Sequence, residues 1–186
     1  GETADVGDVV RTVAVNGTMA CRWPKEKIIS NEKIALGDVI VGLASYGQST
    51  YEATYNSGIG RNGLTSARHD ALSKFYAEHF TESFDNNLSP EVVYIGKNKL
   101  TDPVPVSQNS STTIGQLILS PTRTYAPVMK ELLQHHFDKI HGLIHCSGGG
   151  QTKCMKYLPA PFKVIKDNLF EAPEIFKILQ QNSGSS

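Results

Sequence analysis

The apolar run in Gly37-Asp-Val-Ile-Val-Gly-Leu-Ala-Ser-Tyr-Gly47 ends in a polar loop with a glycine. A compact apolar run bounded by turn residues is typical of a buried strand, and we predict one over residues 38–44. The stretch Gly142-Leu-Ile-His-Cys-Ser-Gly-Gly-Gly150 repeats this design and predicts a strand over 142–146. Ligands of open α/β sheets lie beyond the carboxyl ends of strands, where glycines let backbone N–H groups converge on an anion. The two loops therefore predict phosphate binding, with simple tight turns as the alternative.

Residue periodicity predicts the other elements of the chain. Alternation of apolar and polar residues indicates strands, and apolar residues spaced by three and four indicate helices. Residues 81–110, rich in Asn, Ser, Pro and Asp, predict a long loop. Because strands and helices alternate, the predicted class is α/β, or interleaved α+β. The further predicted strands are 9–23, 92–95 and 162–165; the predicted helices are 64–80, 125–137, a short one near 153–157, and one opening at Pro173.

Composition and charge exclude several classes of protein. The 186 residues carry 18 basic and 18 acidic side chains and no net charge, so no basic surface is available for nucleic acid or anionic membranes. No apolar run approaches the roughly 18 residues that a membrane-spanning helix needs. Three cysteines without CxxC spacing are typical of reduced thiols, which predicts a cytoplasmic protein without a structural metal site.

The glycines of Gly58-Ile-Gly60-Arg-Asn-Gly63 match the G-x-G-x-x-G dinucleotide fingerprint. That fingerprint requires the glycines to follow a strand directly, whereas polar residues separate these from the predicted strand 38–44. A nicotinamide or flavin site is therefore disfavoured. Asn62-Gly63 still precedes a predicted helix, whose N-terminus favours a phosphate.

Residues 135–146 contain every common type of zinc ligand, among them His135, His136, Asp138 and Cys146. Their spacing repeats no known zinc signature, so core or surface histidines are the alternative that we prefer. His145 differs from the others because it ends a predicted strand beside the glycine loop. A neutral imidazole at this place can donate a hydrogen bond to a phosphate or a developing oxyanion.

The segment Ser120-Pro-Thr122-Arg123-Thr-Tyr125 places hydroxyls and a guanidinium at the start of a predicted helix. The helix dipole and free N–H groups favour anions there. The alternative is a threonine N-cap beside a solvated arginine. No G-x-S-x-G, Walker A or H-E-x-x-H motif occurs in the chain, so hydrolase chemistry has no support.

Five motifs in order resemble the aminoimidazole ribonucleotide synthetase family, also called phosphoribosylformylglycinamidine cyclo-ligase. They are Gly1-Glu-Thr-Ala-Asp5, Gly37 to Gly47, Asn62-Gly63, Pro121-Thr-Arg-Thr-Tyr125 and His145-Cys-Ser-Gly-Gly-Gly150. The resemblance implies ATP-dependent cyclisation of formylglycinamidine ribonucleotide to aminoimidazole ribonucleotide in purine biosynthesis. It also implies ATP as co-substrate with Mg²⁺, a ribonucleotide substrate and a homodimer of the intact protein.

The resemblance also implies which residues bind ligands, although it assigns no catalytic residue. Glu2, Thr3 and Asp5 look like the remnant of an ATP and Mg²⁺ site. The chain departs from the family pattern at Tyr46, where a serine is usual, at Gly60, which takes the place of a histidine, and by an insertion between Gly47 and Asn62. The implied residues for substrate and phosphate are Ser45, Gly47, Asn62, Gly63, Thr122, Arg123, His145, Ser147, Gly148, Gly149 and Gly150.

By the same resemblance, residues 1–23 are the last strand segment of a truncated N-terminal ATP-binding domain. Residues 24–186 are then most of a C-terminal substrate-binding domain, a mixed sheet flanked by helices. A chain of this extent is expected to be inactive alone. Two alternatives stay open, a non-catalytic phosphate-binding or assembly module on the same fold and, more distantly, a zinc-binding protein.

Overall fold

The chain divides into two compact units. The computed structural model describes residues 17–60, 63–107, 110–146, 149–158 and 161–183. Unit 1 draws on Ala44–Arg123 and on the C-terminal stretch from Glu171, and unit 2 comprises Thr18–Leu43 and Thr124–Phe170. The predicted domain boundary between residues 23 and 24 concerns a longer protein and stays a prediction.

Helices and short antiparallel strands make up the described residues, which confirms a mixed α/β class. Strands β1 and β2 pair antiparallel with Tyr46 opposite Ser57, and β3 and β4 pair antiparallel with Val104 opposite Thr112. The elements in chain order are β1 (Tyr46–Gly47), β2 (Asn56–Ser57), α1 (Leu64–Ala71), α2 (Phe75–His79), β3 (Pro103–Ser107), β4 (Ser110–Thr113), α3 (Ile114–Ile118), α4 (Ala126–His135) and α5 (Glu174–Ser183). Short 3₁₀ helices occupy Lys25–Lys27, Thr81–Ser83, Phe137–Lys139 and Gly150–Tyr157.

The hydrophobic core lies in unit 1, where α1, α3 and α5 meet. Helix α5 contributes Ile175, which is fully buried, and α3 contributes Ile114 and Leu117. Burial of such side chains stabilises the fold by about 1.5–3 kcal/mol each. The core cluster consists of Ile59, Ala67, Ala71, Leu72, Val93, Tyr94, Val104, Ile114, Leu117, Ile118 and Ile175. This core supports both β1–β2 and the segment that leads into α1.

The single helix predicted over 64–80 is interrupted at residues 72–74. Leu72 adopts an extended conformation (φ −91°, ψ 148°) and forms a bridge with Asn98. The N–H of Ser73 donates to the carbonyl of Asn98 over 3.0 Å, and the N–H of Asn98 donates to the carbonyl of Ala71 over 3.1 Å. Apolar residues at helical spacing continue past residue 72, but the backbone there pairs with the segment around Asn98. This pairing ends α1, and α2 begins at Phe75.

The predicted loop 81–110 contains strand β3 and leads through β4 into helix α3, and sequence periodicity revealed none of these elements. Strand β3 was not predicted because it contains Pro103 and Pro105, and proline usually lies outside a sheet or at its edge. Helix α3 begins with a capping box in which Thr113 Oγ1 accepts from the N–H of Gln116 over 3.2 Å, and Gln116 Oε1 accepts from the N–H of Thr113 over 3.1 Å. The T-x-x-Q pattern was a readable sign of this helix start.

Most of the predicted strands are wrong, namely those over 38–44, 92–95, 142–146 and 162–165. Of the strand predicted over 9–23, the described part, residues 17–23, is not a strand, and the rest lies outside the described residues. Val39 and Val41 are 84% and 77% exposed instead of buried. A strand requires a neighbour to satisfy its backbone N–H and C=O groups. No described segment pairs in this way with the predicted strands. The predicted mixed sheet therefore does not appear among the described residues, which contain two antiparallel two-stranded sheets.

Unit 2 has few buried side chains. Cys154 is the one apolar side chain of its described residues that is buried, whereas Cys21 and Cys146 carry exposed thiols. Trp23 is half exposed, and its Nε1–H donates to the carbonyl of Lys27 over 2.7 Å. Helix α4 confirms the helix predicted over 125–137, as α5 in unit 1 confirms the one predicted at Pro173. None of the helices that the structure describes is long and apolar enough to cross a membrane.

Candidate functional site

The candidate site of unit 1 is built around Arg123, whose side chain is nearly inaccessible to solvent. The carboxylate of Glu52 accepts two hydrogen bonds from it, from Nε over 2.8 Å and from Nη2 over 2.7 Å. The remaining guanidinium N–H groups donate to the carbonyls of Ala44, Tyr46 and Gly47 over 2.7–3.0 Å. These bonds occupy all five donors of the side chain. Burial of the charge is tolerated because it is paired and fully hydrogen-bonded.

Glu52 completes this arrangement from the insertion that separates Gly47 from Asn62. Its side chain is 15% exposed and also accepts a hydrogen bond from the N–H of Ser49 over 2.8 Å. The Arg123 guanidinium beside the carboxyl group, assisted by the Ser49 N–H, lowers the pKa of Glu52 below its ordinary value. Glu52 is therefore ionised at neutral pH. Through Arg123 it connects the turn Gln48–Glu52 to the glycine loop Ala44–Gly47.

Two predicted phosphate-binding glycines in unit 1 adopt left-handed conformations. Gly47 has φ +90°, and Gly63, at the N-cap of α1, has φ +68°. A side chain would strain the backbone at either place, although a Cβ would meet no atom within 4 Å. Because glycine occupies the N-cap position, no N-cap side chain accepts a hydrogen bond from the first turn of α1. The predicted ligand Asn62 lies outside the described residues.

Ser45 and Thr122 lie at the rim of the same loop region. Both residues are exposed. A Cβ on Gly60 would come within 2.9 Å of Thr122 Oγ1, and a Cβ on Gly58 would come within 2.9 Å of Ser45 Oγ. The glycines of the insertion therefore allow its backbone to approach both hydroxyls. Unit 1 thus contains five predicted residues, of which Gly47 and Arg123 are in direct contact; the others are Ser45, Gly63 and Thr122.

The other predicted site residues with described positions lie in unit 2. His145 is exposed and lies in a segment without helix or strand. Gly149 and Gly150 have φ +84° and +49°, and the carbonyl of Gly149 accepts from the hydroxyl of Thr152 over 2.7 Å. Ser147 and Gly148 lie outside the described residues, as do Glu2, Thr3 and Asp5. The functional assignment of all these residues stays a prediction.

Two of the possible zinc ligands of residues 135–146 have separate carboxylate partners. His141 Nδ1 lies 2.8 Å from Asp38 Oδ2, while His135 lies 3.5 Å from Glu131 on helix α4. The backbone N–H of Ala35 and the side chain of His141 lower the pKa of Asp38. Throughout the described ranges, no three His, Cys, Asp or Glu side chains come close enough to hold a metal.

Sequence reasoning missed the supporting residues Glu52, Asn56 and Ser57, and it did not reveal that Ser120 accepts a hydrogen bond within the fold. Asn56 Nδ2 donates to the carbonyl of Pro121 over 2.9 Å, and Ser57 Oγ donates to the carbonyl of Leu117 over 2.6 Å. The N–H of Ser57 donates to Ser120 Oγ over 3.1 Å. With Glu52 these residues fasten β2 and the insertion to the segment before Arg123. Nothing local in the sequence marks them, since their partners lie about sixty residues or more away along the chain.

Comparison with known proteins supplies the relatives of this chain. No protein-family model matches it. Phosphoribosylformylglycinamidine cyclo-ligase of Methanosarcina mazei is 30% identical over 184 residues, which cover 99% of this chain and 43% of that protein. The proteins of the same name from Methanobrevibacter smithii and Methanothermobacter thermautotrophicus are 31% and 30% identical over 98% and 97% of the chain, again covering 43% of each relative. The resemblance predicted from the motifs is confirmed.

Similarity to the cyclo-ligases thus extends over nearly the whole chain, while the chain spans less than half the length of these relatives. The shared region includes the glycine loop Ala44–Gly47 and the segment that contains Arg123. The names of the relatives describe a cyclo-ligase that acts on phosphoribosylformylglycinamidine. They do not say which of its residues bind the ligand.

Proposed function

We propose that this chain is the ribonucleotide-binding part of a phosphoribosylformylglycinamidine cyclo-ligase. The observation that carries the proposal is the glycine loop Ala44–Gly47, held in place at the predicted phosphate position of a chain similar to cyclo-ligases over nearly its full length. A fixed loop binds an anion at a lower entropic cost than a mobile one. The proposed phosphate contacts are the backbone at Gly47 and Gly63 and the hydroxyls of Ser45 and Thr122.

The proposed reaction closes the imidazole ring of the substrate. The formamide oxygen of formylglycinamidine ribonucleotide accepts the γ-phosphoryl group of ATP, and ADP leaves. The neighbouring amidine nitrogen then attacks the activated carbon, and ring closure releases phosphate and a proton. Such phosphoryl transfer needs positioning and charge neutralisation more than a dedicated nucleophile. The residues of unit 1 serve that need by holding the substrate through its 5-phosphate.

Mg²⁺ and ATP enter the proposal through the resemblance at the N-terminus. Carboxylate and hydroxyl oxygens of the kind carried by Glu2, Thr3 and Asp5 suit a hard cation such as Mg²⁺, which would neutralise phosphate charge. Homodimerisation of the intact protein, its place in the cytoplasm and the inactivity of this chain by itself belong to the same proposal.

The test of phosphate binding is a thermal-shift titration of the chain with ribose 5-phosphate, with ribose as the ligand that lacks the phosphate. A ligand that binds only the folded state raises the melting temperature, by an amount that grows with its concentration relative to Kd. We expect a shift with ribose 5-phosphate and none with ribose. Gly47→Ala should reduce the shift because alanine disfavours φ +90°.

Gly17→Ala is the matched control, because a Cβ at Gly17 meets open space and its φ is outside the left-handed range. Equal shifts with both ligands, or no shift at all, would contradict phosphate binding. A turnover assay with ATP and formylglycinamidine ribonucleotide should detect no product from the chain alone. If a full-length cyclo-ligase carrying this region bound the ribonucleotide without turnover, the non-catalytic binding module would be the better description.

A further inference from the structure

The side chain of Arg123 has no donor left for a ligand. All five of its N–H groups are used within unit 1, two on the carboxylate of Glu52 and three on the carbonyls of Ala44, Tyr46 and Gly47. A phosphate could reach the guanidinium only by displacing some of these partners. The guanidinium is also shielded from solvent, with a side-chain exposure of 6%. Direct phosphate contact by Arg123 is therefore at odds with the geometry.

The direction of these hydrogen bonds suggests a different role. Three carbonyls of one four-residue loop point at a single buried cation, so the peptide planes between them are fixed in orientation. Peptide groups whose carbonyls point toward Arg123 have their N–H groups turned away from it, since N–H and C=O are antiparallel within a trans peptide. The cation thus orders the backbone that the proposed function assigns to phosphate.

Glu52 decides whether the cation stays in this position. Its carboxylate meets the guanidinium in a bidentate pair, the strongest and most directional form of ion pair. It is supplied by the insertion between Gly47 and Asn62, where the chain departs from the cyclo-ligase motif pattern. The N–H of Ser49 and the side chain of Gln48 attach the same residue to the turn that follows the loop.

We propose that Glu52 and Arg123 are positioning residues that act as a clamp on the glycine loop Ala44–Gly47, and that the loop, not the guanidinium, meets the phosphate. The inference rests on the proposed function for the identity of the ligand. The clamp itself rests on the contacts within unit 1. It gives the insertion a role in ligand binding without any contact between the insertion and the ligand.

Substitution of Glu52 separates the two possible roles of Arg123 because they predict opposite changes. If Arg123 bound phosphate directly, Glu52→Gln would remove a competing anion and strengthen binding. If Arg123 clamps the loop, Glu52→Gln weakens binding of ribose 5-phosphate, by about tenfold for the loss of one charge-assisted hydrogen bond. The measurement is the Kd for ribose 5-phosphate by calorimetry, at a temperature where each variant is folded. Glu78→Gln, an exposed carboxylate of α2, is the matched control and should leave Kd unchanged.

Arg123→Lys supplies a second, independent variant. Lysine keeps the positive charge but lacks the planar fork that reaches five acceptors. Under the clamp it weakens binding about as much as Glu52→Gln, and the double variant weakens it little further. Retention of the wild-type Kd by Arg123→Lys, or tighter binding by Glu52→Gln, overturns the clamp.

Hydrogen exchange tests the clamp even if the chain binds no ribose 5-phosphate, in which case the proposed function fails by itself. Glu52→Gln should speed amide exchange in residues 44–49 and leave exchange in helix α4 unchanged. Unaltered exchange in 44–49 overturns the clamp regardless of any ligand result.

Discussion

At the scale of the residue, the pair Glu52–Arg123 shows how a buried charge is compensated by hydrogen bonds. Removing a guanidinium and a carboxylate from water costs several kcal/mol for each ion. Arg123 and Glu52 offset that cost through their bidentate contact and through acceptors and donors of the nearby backbone. All buried side-chain nitrogen and oxygen atoms of the described residues likewise have a hydrogen-bond partner. The stability of the loop therefore depends on the ionised state of Glu52.

The lowered pKa of Glu52 predicts how stability changes with pH. A group whose pKa is lower in the folded state contributes stability above its unfolded pKa, about 4.3 for glutamate, and loses it as pH falls through the lowered value. We expect Glu52→Gln to reduce the free energy of unfolding by about 1.5–3 kcal/mol at pH 7, the range for a hydrogen bond to a charged group. The difference from wild type should shrink below pH 4. Urea unfolding between pH 7 and 3 measures it.

Glu78→Gln again serves as the control for the loss of one carboxylate from the surface. It should shift the unfolding free energy by no more than about 0.5 kcal/mol at either pH. A gap between wild type and Glu52→Gln that stays constant down to pH 3 would show that the ionised pair is not the source of the stability.

Some of this site was predictable from the residues, and some was not. The predicted site glycines at positions 47, 63, 149 and 150 all adopt left-handed conformations, which glycine adopts more readily than other residues. The sequence predicted Arg123 as a phosphate ligand because of its charge, but it did not indicate that the guanidinium is buried and paired. The partner carboxylate lies 71 residues away, and no local pattern indicates such a distant ion pair.

At the scale of the element, the junction between α1 and the following loop depends on one close approach. Gly96 lies so near the C-terminus of α1 that a Cβ would come within 2.3 Å of the Ala71 carbonyl group and of the Asp70 oxygen. Nearby Tyr94 is buried with φ +47°, and its N–H donates to His69 Nδ1 over 3.2 Å. This junction ends the first helix and positions Val93 and Tyr94 in the core.

Gly96→Ala should therefore destabilise unit 1. The clash involves backbone atoms, which cannot rotate away as a side chain would, so we expect a loss at the upper end of the overpacking range, about 3 kcal/mol or more. Chemical denaturation followed by far-ultraviolet circular dichroism measures this loss. Gly17→Ala, which adds the same methyl group in open space, should be nearly neutral. Equal stability of the two variants would contradict the close approach.

Helices were predicted more accurately than strands because they depend on different partners. Helices α4 and α5 satisfy their backbone groups internally, so an apolar stripe and a suitable start are enough to identify them. A strand needs hydrogen bonds to a second strand, and the pattern of apolar residues does not show which segment supplies it. The apolar run 38–44 therefore looked like a strand, while the proline-containing β3 became one through its hairpin with β4.

At the scale of the whole molecule, the two units differ in the solvent exposure of their apolar side chains. Unit 1 has the core cluster, whereas unit 2 exposes an apolar segment, which we define as residues 36–43. Leu36, Val39 and Val41 in this segment are 77–84% exposed. Exposed runs of β-branched residues promote association between chains. Other segments of unit 2, including Leu169 and Phe170, add to this exposed apolar surface.

The double variant Val39→Lys/Val41→Lys should lower self-association of the chain without loss of stability. Both side chains are already exposed, so the change in unfolding free energy should stay within about 0.5 kcal/mol for each substitution. Light scattering and sedimentation velocity over a range of concentrations measure the association.

Val92→Lys is the control, since Val92 is 52% exposed but belongs to unit 1. It introduces the same lysine outside the apolar segment and should leave the concentration dependence of sedimentation unchanged. If it reduced association as much as the double variant, added positive charge would be the cause and the apolar segment would not.

The placement of Trp23 and of the cysteines has a practical consequence for spectroscopy. The single tryptophan and all three cysteines lie within the two chain segments of unit 2. Tryptophan emission and the reactivity of Cys21 and Cys146 therefore follow unit 2, and a fluorescence melting curve carries little signal from unit 1. Ligand titrations of the glycine loop Ala44–Gly47 need calorimetry, circular dichroism or a tryptophan introduced into unit 1, because a silent emission spectrum would be mistaken for an absence of binding.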